Sequence, residues 1–418
     1  MPVYNFLIRL YYLLLRLASP FNAKAKAYIK GRKLIYNEAF HAFCRINKPC
    51  IWFHCASMGE YEDVKHLIEL CHQEQSFKII VTFSSPSGFC YHINKHPFAL
   101  ISYLPFDAKN QMQRFIRQLH PSKLIISRND IWPNMIMAAK EANVQLFLID
   151  YNINERSFQL KMVSDFYKNL FAPFNTIFVQ NQRSLQFMQK HLKLENIVLA
   201  GNTRLDALAQ SDKINSECLN EFIDQKKIIL FGSMLAGDQK ILSGLNVDIF
   251  KTHKLIIVDH EPKIANVSFI EKCLGQKVIL WSNLKTNNDL KTFKILYVDE
   301  IGLLKQLYHS SQIAYVGGGF NRIGIHNIVE PAMAENYIAF GPNHRYYTEA
   351  IELLKTEETC CCSTAHDFNQ FLGKYLHSHE KAKMNKAYVL KNVGASAICF
   401  NHIFETPKIH TAKEVQQV

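Results

Sequence analysis

The sequence lacks any apolar run of the roughly 20 residues that a membrane-spanning helix needs, so a polytopic membrane protein is excluded. Its 11 cysteines lack the paired spacing of a zinc site, and no cleavable signal peptide is evident. We therefore expect a reducing, cytoplasmic location. Acidic residues number 36 against 48 basic ones, and the resulting charge of +12 indicates an anionic partner: nucleic acid, a membrane surface or a phosphorylated substrate.

With 418 residues and 48% hydrophobic content, the chain is long enough for two ordinary globular domains. Short apolar runs alternate with segments of helical periodicity, which is the pattern of a parallel sheet with helices on both faces. This pattern occurs twice, with a polar stretch at 206–216 between the two sets. The predicted strands of the first set are 78–83, 99–104, 123–127, 144–149, 176–180 and 197–200, and those of the second are 227–231, 255–258, 278–281, 295–298, 313–316 and 337–340.

These alternations predict an α/β protein of two doubly wound, Rossmann-like domains that face one another across a ligand-binding cleft. The predicted divisions are an N-terminal helix with a basic segment at 1–33, a first domain at 34–208, a second domain at 209–405 and a polar tail at 406–418. A closing helix at 380–404 is assigned to the second domain.

The N-terminal segment 4–17 is rich in leucine and aromatic residues but is too short to span a bilayer. On a helical wheel Asn5, Arg9 and Arg16 fall on one side and apolar residues cover the remainder, which is typical of a helix that lies in a membrane interface. Basic residues follow it, and they would add attraction to an anionic leaflet. The alternative is a helix packed on its own domain or on a partner subunit. The basic residues are Lys24, Lys26, Lys30, Arg32 and Lys33.

The stretch Ile51–Asp63, IWFHCASMGEYED, passes from a buried strand through a tight turn at 57–59 into a helix that begins near Glu60. Glu60 has two interpretations. An acidic residue in a first helical turn complements the helix dipole. A carboxylate at a strand-to-helix turn of an α/β sheet is also well placed to act as a general base on a bound ligand.

The second domain carries the strongest constellation, with VGGGF at 316–320, GIHNIVEP at 324–331 and FGPNH at 340–344. Gly317, Gly318 and Gly319 would let backbone N–H groups approach a phosphate, and a helix starting near Asn327 would direct its positive end at that anion. Glu330 could accept hydrogen bonds from ribose hydroxyls. A plain tight turn and a solvated helix face are the alternatives, and the G-x-G-x-x-G fingerprint is not matched.

Further polar clusters lie at predicted strand ends. Ser233 and His260 could donate to a phosphate, and Arg204 and Lys263 could add positive charge, which suits a nucleotide-linked substrate. Nucleic-acid binding is disfavoured, because the basic residues concentrate beside an apolar helix rather than among exposed aromatic residues.

In the order HCASMGEYE, TFSSPSG, LPFD, DIWPN, GNTRLD and GIHNIVEP, these motifs resemble those of the 3-deoxy-D-manno-octulosonic acid (Kdo) transferases of Gram-negative bacteria, over residues 30–400. The resemblance implies the GT-B architecture and an inverting transfer of Kdo from CMP-Kdo to the lipid A precursor, lipid IVA, without metal or cofactor. It implies Glu60 as the general base, with Ser57, Gly59 and Asp130 in acceptor-binding motifs of the first domain and CMP in the second.

That function would place the protein on the cytoplasmic face of the inner membrane, in lipopolysaccharide biosynthesis. Two alternatives are another GT-B transferase that uses a UDP-sugar and a lipid acceptor, and a catalytically silent nucleotide- or lipid-binding homologue.

Three positions depart from the family pattern. Arg128 stands where relatives have a glutamate, Asp259 stands where they have an arginine, and Arg204 stands where they have a lysine. We expect Lys263 to compensate for the lost arginine near the donor, and contacts with the acceptor are in question at Arg128.

Overall fold

The structure is a computed structural model and describes residues 1–93, 96–153, 164–208, 214, 216–287, 289–322, 324–345 and 347–404. The chain forms two compact units. The first comprises residues 1–207 with the described residues from 393 onward, and the second comprises 208–392. The predicted polar tail at 406–418 lies outside the described residues.

The first unit contains a parallel sheet in the order β3-β2-β1-β4-β5-β6-β7. Its central strands are buried on both faces, so they read as continuous apolar runs rather than as an alternation. The strand order reverses between β1 and β4, which are hydrogen-bonded neighbours. The strands are β1 Cys50–Cys55, β2 Lys78–Phe83, β3 Ala99–Tyr103, β4 Pro121–Ser127, β5 Gln145–Tyr151, β6 Thr176–Val179 and β7 Ile197–Leu199.

The second unit contains a parallel sheet in the order β10-β11-β9-β8-β12-β13-β14, and its order reverses between β8 and β12. The edge strand β14 is absent from the sequence prediction because it is three residues long and consists of Thr-Cys-Cys. The strands are β8 Lys227–Met234, β9 His253–Asp259, β10 Val278–Leu280, β11 Ile295–Tyr297, β12 Ile313–Val316, β13 Tyr337–Phe340 and β14 Thr359–Cys361.

Helices connect successive strands, as parallel pairing requires. Those of the first unit up to the boundary are α1 Pro2–Ala18, α2 Ala23–Arg32, α3 Glu38–Arg45, α4 Met58–Gln73, α5 Pro86–His92, α6 Lys109–Leu119, α7 Pro133–Glu141, α8 Ser164–Phe171, α9 Gln182–Leu192 and α10 Thr203–Leu208. Those that follow are α11 Glu217–Ile223, α12 Gln239–Ser243, α13 Ala265–Leu274, α14 Leu304–Leu307, α15 Val329–Met333, α16 Thr348–Leu353, α17 Ala365–Tyr375, α18 Lys383–Lys391 and α19 Ala395–Phe404. Short 3-10 turns lie at Ala236–Asp238, Val247–Lys251, Trp281–Thr286, Leu290–Thr292 and Tyr308–Ser310.

Helix α1 packs on the first unit by one side. Ile8 and Tyr12 are buried there, and the rings of Tyr12 and Phe106 lie 4.1 Å apart between centroids. No helix in the described ranges combines the length and apolar character needed to cross a membrane. The apolar side chains that stay exposed on α1 are Val3, Phe6, Leu7, Leu10, Tyr11, Leu13, Leu14 and Leu17.

The residues of the predicted basic segment differ in exposure. Lys26, Lys30 and Lys33 are exposed, whereas Arg32 is buried. The Arg32 guanidinium lies 3.5 Å from the centroid of the Tyr28 ring and donates to the Ser84 carbonyl at 3.0 Å. Arg32 therefore belongs to the interior of the unit and does not add to the exposed basic surface.

The assignment of the closing helix to the second domain is wrong. The predicted helix 380–404 is interrupted by Gly394, whose φ is 112°, and its second half, α19, joins the first unit. Asp206 accepts hydrogen bonds from the N–H groups of Gly394 at 2.5 Å and Ser396 at 2.6 Å, which anchors the start of α19. Cys399 and Ile403 then complete the first core.

Candidate active site

Glu60 lies where the strand order of the first sheet reverses, which is the position where open α/β sheets bind their ligands. Strand β1 ends at Cys55, and Glu60 is the third residue of α4. Strand β4 ends beside it at Ser127, whose hydroxyl donates to the Glu60 carbonyl at 3.4 Å. The carboxyl ends of two central strands therefore present Glu60 and the segment after Ser127 at the same edge of the sheet.

The Glu60 side chain folds back over the turn that precedes α4. Its carboxylate accepts a hydrogen bond from the Ala56 N–H at 2.5 Å. The spacing Ser57-x-x-Glu60 is that of a capping box, but the Ser57 hydroxyl makes no capping hydrogen bond and Glu60 bonds to the residue before the cap. Burial raises the pKa of Glu60 to about 7, the Ala56 hydrogen bond opposes that rise, and the Asp130 charge adds to it.

Asp130 is the centre of a buried polar cluster next to Glu60. Its Oδ2 lies 2.8 Å from His54 Nε2 and accepts from the Ser84 hydroxyl at 2.6 Å. The other ring nitrogen of His54 lies 2.9 Å from the Thr82 hydroxyl. Burial alone would raise the pKa of Asp130, but the hydrogen bond and charge of His54, with the Ser84 hydroxyl, hold that pKa below its ordinary value. Asp130 therefore stays ionised and acts on Glu60 as a fixed negative charge.

One turn after Glu60, the buried Asp63 holds two arginines. The Arg128 Nε lies 2.5 Å from one carboxylate oxygen, and the Arg204 Nε donates to the other. Arg204 also donates from Nη2 to the Gly59 carbonyl at 3.2 Å. Asp63 thus forms an ion pair with Arg128 and another with Arg204. Arg204 lies in the first unit beside the Glu60 turn, and not in the second unit with the other residues predicted to bind the donor.

In the second unit, polar side chains gather where β8 and β9 end, next to the reversal between β8 and β12. Ser233 has a left-handed backbone with φ 54°, and its hydroxyl lies 3.5 Å from His260 Nδ1. The His260 ring stacks on His326, with 4.4 Å between centroids and 20° between planes. Burial and the neighbouring His260 lower the pKa of His326 to about 4. The structure therefore joins Ser233 and His260 as predicted and adds His326.

The expectation that the glycine triplet offers its N–H groups to a phosphate is wrong for two of the three. The Gly317 N–H donates to the Gly232 carbonyl at 2.8 Å, and the Gly318 N–H donates to the Asp238 carboxylate at 2.8 Å. The glycines are needed for close packing instead. A Cβ on Gly319 would lie 2.5 Å from Gly341 Cα, so no side chain fits there.

The predicted helix start at Asn327 is also shifted. Helix α15 begins at Val329, and the Asn327 side chain accepts from the Val329 N–H at 3.1 Å while donating to Glu330 Oε1 at 2.8 Å. Helix α15 has only five residues, and its interaction with a phosphate stays a prediction. The side chains of Asn327 and Glu330 stay together as one hydrogen-bonded pair.

The loop that carries Lys263 is fixed by Asp259. The Asp259 carboxylate accepts from the Tyr297 hydroxyl at 2.7 Å and from the Asn266 amide at 2.6 Å, and the Lys263 N–H donates to the same tyrosine oxygen at 2.8 Å. The Lys263 side chain is exposed. In the described ranges no three His, Cys, Asp or Glu side chains converge as metal ligands would.

Comparison with known proteins finds similarity to one family of transferases. A family model described as 3-Deoxy-D-manno-octulosonic-acid transferase (kdotransferase) matches residues 30–207. A 3-deoxy-D-manno-octulosonic acid transferase of Chlamydia muridarum is 28% identical over 382 residues, which cover 87% of this chain and 86% of the relative. One from Rickettsia bellii is 27% identical over 310 residues, covering 71% and 72%. The family model and these relatives together support assignment of the chain to the Kdo transferase family.

The solved structure of a glycosyltransferase from Rickettsia africae shares the fold of this chain. It covers 86% of this chain and 100% of its own, with a TM-score of 0.56 and 15% identity. At that identity the likeness shows the fold alone. The predicted GT-B glycosyltransferase fold, with two α/β domains built on parallel sheets, is confirmed.

The sequence does not single out His54 and Ser84 as functional candidates. Both lie in quoted motifs, HCASMGEYE and TFSSPSG; His54 is the penultimate residue of β1 and Ser84 directly follows β2. The sequence signal for both residues is a polar side chain at or just after the end of an otherwise apolar strand. Their shared partner Asp130 lies 76 residues from His54 and 46 from Ser84, so sequence spacing alone does not join them.

With Glu60 as the predicted general base, glycosyl transfer is expected to depend on pH. A general base works in its ionised form, and below its pKa of about 7 an increasing fraction of Glu60 is protonated. We expect kcat/KM to fall about tenfold for each pH unit below that value and to level off above it. Initial rates between pH 5 and 9 measure this, and a rate that is flat down to pH 5 would contradict the pKa and role of Glu60.

Proposed function

We propose that this protein moves Kdo from CMP-Kdo to a lipid A precursor of the lipid IVA type, with inversion. The observation that carries the proposal is a carboxylate with a pKa of about 7 where strand order reverses in the first unit, at Glu60. Glu60 accepts the proton of an acceptor hydroxyl as that oxygen bonds to the anomeric carbon of Kdo. The bond between that carbon and the CMP phosphate breaks, and CMP leaves with the electron pair. One displacement inverts the configuration.

In this proposal the second unit binds CMP-Kdo through side chains rather than through the glycine triplet. Ser233 and His260 are placed to donate to the phosphate, and the exposed Lys263 adds positive charge nearby. Asn327 and Glu330 lie in the motif after the triplet and are assigned to the nucleoside. Positive charge and hydrogen bonds stabilise the departing phosphate, and we propose that no metal ion is needed, so a chelator should leave the rate unchanged.

Ser57, Gly59 and Asp130 are assigned to the acceptor side. The Ser57 hydroxyl makes no capping bond, and Gly59 is exposed at the same turn. Asp130, on the same side, also acts on Glu60 through its charge. We assign Arg204 to this side as well, because it bonds to the Gly59 carbonyl.

The mass of the lipid product tests donor and acceptor together. The purified protein is incubated with a lipid IVA acceptor and either CMP-Kdo or UDP-sugars, and the lipid is weighed by mass spectrometry. The proposal requires Kdo-bearing lipid from CMP-Kdo alone. A sugar transferred from a UDP donor would replace the proposal by the other GT-B chemistry, and an unmodified lipid with every donor would indicate a silent binding protein.

We propose that α1 lies on the cytoplasmic face of the inner membrane, where a phosphorylated lipid acceptor would be presented. Its exposed leucines, together with Phe6 and the 92% exposed Phe21, form an apolar surface, and Lys26, Lys30 and Lys33 flank it. Apolar insertion and electrostatic attraction are the two signals that stable peripheral binding needs.

The double variant Leu10→Glu/Leu14→Glu is expected to bind anionic vesicles at least about tenfold more weakly than wild type, because two charges replace inserted side chains. Co-sedimentation with phosphatidylglycerol vesicles measures this. Ile301→Glu is the matched control, since Ile301 is 75% exposed in the second unit. Equal loss in the control, or full binding by the double variant, would argue against α1 as the contact surface.

A further inference from the structure

Helix α1 is bonded through polar side chains to the loop that ends in Asp107. The Tyr4 hydroxyl donates to Asp107 Oδ2 at 2.6 Å, and the Tyr12 hydroxyl accepts from the Asp107 N–H at 2.6 Å. Asn5 Oδ1 accepts from the Asn134 amide at 2.8 Å. An apolar anchor that merely tethers a domain needs none of these bonds.

Asp107 in turn holds the start of α7. Its carboxylate accepts from the N–H groups of Asn134 at 3.1 Å and Met135 at 2.8 Å, and its carbonyl accepts from the Asn134 side chain at 2.6 Å. Asp107 is 1% exposed, so these bonds are shielded from water. Helix α7 begins at Pro133, which has no N–H to donate, and Asp107 supplies the negative charge that a helix start favours.

Helix α2 reaches the same region by a second route. The buried Arg32 donates from Nη2 to the Ser84 carbonyl at 3.0 Å, and its guanidinium lies 3.5 Å from the centroid of the Tyr28 ring and 5.1 Å from that of Phe106. The Ser84 hydroxyl donates to Asp130 at 2.6 Å. Asp130 is therefore held from both sides, by Ser84 and by the segment that runs into α7.

We infer that Tyr4, Asn5 and Arg32 are positioning residues for Kdo transfer. They fix the two loops that carry Ser84 and Asp130, and Asp130 sets the electrostatic surroundings of Glu60. The N-terminal helices are thus a structural part of the catalytic unit. This inference rests on the proposed role of Glu60 as the base. Small displacements of catalytic groups reduce rates strongly, so distant contacts that fix Asp130 have a kinetic consequence.

The inference is tested with Tyr4→Phe/Asn5→Ala, in comparison with Tyr11→Phe on the exposed side of α1. The acceptor is dispersed in detergent, so binding to a bilayer does not limit the rate, and vesicle binding is measured separately. We expect kcat to fall at least about tenfold in the double variant, with KM for CMP-Kdo and vesicle affinity within about twofold of wild type. Tyr11→Phe should match wild type.

Three outcomes are decisive. An unchanged kcat in the double variant, with transfer by wild type, overturns the inference and leaves the proposed function in place. No transfer by wild type overturns both. A proportional loss of kcat and vesicle binding also overturns the inference, because that result is expected if the N-terminal helices act only as a membrane anchor. Tyr4→Phe alone, which removes one hydroxyl and keeps the ring, separates a kinetic effect from lost folding, since its melting temperature should stay within a few degrees of wild type.

Discussion

The variant Glu60→Gln is expected to lower kcat for Kdo transfer by about 10²–10⁴-fold, the contribution typical of a positioned general base. Glutamine has nearly the same shape, and its amide oxygen can still accept from the Ala56 N–H, so the turn before α4 is retained. It cannot accept the proton of the attacking hydroxyl. Steady-state rates are compared at pH 8, where wild-type Glu60 is ionised and the difference in kcat between the two proteins is therefore largest.

Glu62→Gln is the matched control for that result, because Glu62 lies on the same helix and its removal changes the net charge equally. It should keep kcat within about twofold. The affinity of Glu60→Gln for CMP-Kdo should also be near that of wild type, since the residues assigned to the donor belong to the second unit. Undiminished turnover by Glu60→Gln would remove Glu60 from the mechanism.

The variant Gly317→Ala should destabilise the second unit and weaken donor binding. A Cβ at this position would lie 2.4 Å from the Ser233 carbonyl oxygen and 2.8 Å from Met234 Cα. Both contacts are with backbone, so the end of β8 must move, and Ser233 moves with it. We expect a loss of about 1–3 kcal/mol in the free energy of unfolding. The KM for CMP-Kdo should rise at least about tenfold, which corresponds to about 1.4 kcal/mol of binding.

Gly373→Ala is the matched control, because Gly373 is exposed within α17 and a Cβ there meets nothing within 4 Å. Alanine in a helix is favoured over glycine by about 0.5–1 kcal/mol, so this variant should be slightly more stable than wild type with unchanged kinetics. Urea unfolding and initial rates at varied CMP-Kdo concentration measure both variants. If Gly317→Ala retained wild-type stability and KM, the close packing at β8 would not support donor binding.

Local sequence patterns are sufficient to predict many of the strands that form the two sheets. The predictions at 78–83, 313–316 and 337–340 coincide with β2, β12 and β13, because fully buried parallel strands appear as unbroken apolar runs. The position of Glu60 at a strand-to-helix turn was also readable from the sequence. The order of the strands, which places β4 beside β1 and brings Asp130 to Glu60, depends on pairing between distant segments.

The partners of charged residues could not be predicted for the same reason. Asp63 lies 141 residues before Arg204. Their ion pair holds Arg204 in the first unit, whereas the sequence predicts that Arg204 binds the donor. The glycine triplet follows a phosphate-binding pattern, yet Asp238, 80 residues before Gly318, takes one of its N–H groups. Asp206 likewise accepts a hydrogen bond from the N–H of Ser396, 190 residues later, and so holds α19 in the first unit. The periodicity of apolar residues indicates which positions are buried. It does not indicate which polar groups, distant in sequence, are hydrogen-bonded to each other in the folded chain.

The release of CMP in the presence and absence of acceptor, with the lipid mass recorded in the same samples, tests the central claim that Glu60 drives Kdo transfer. Wild type should release CMP only with the lipid acceptor and in equal amount to the Kdo-bearing lipid, while Glu60→Gln should bind CMP-Kdo and form neither product at a comparable rate. Stoichiometric CMP and Kdo-lipid formation by Glu60→Gln at the wild-type rate would contradict the account.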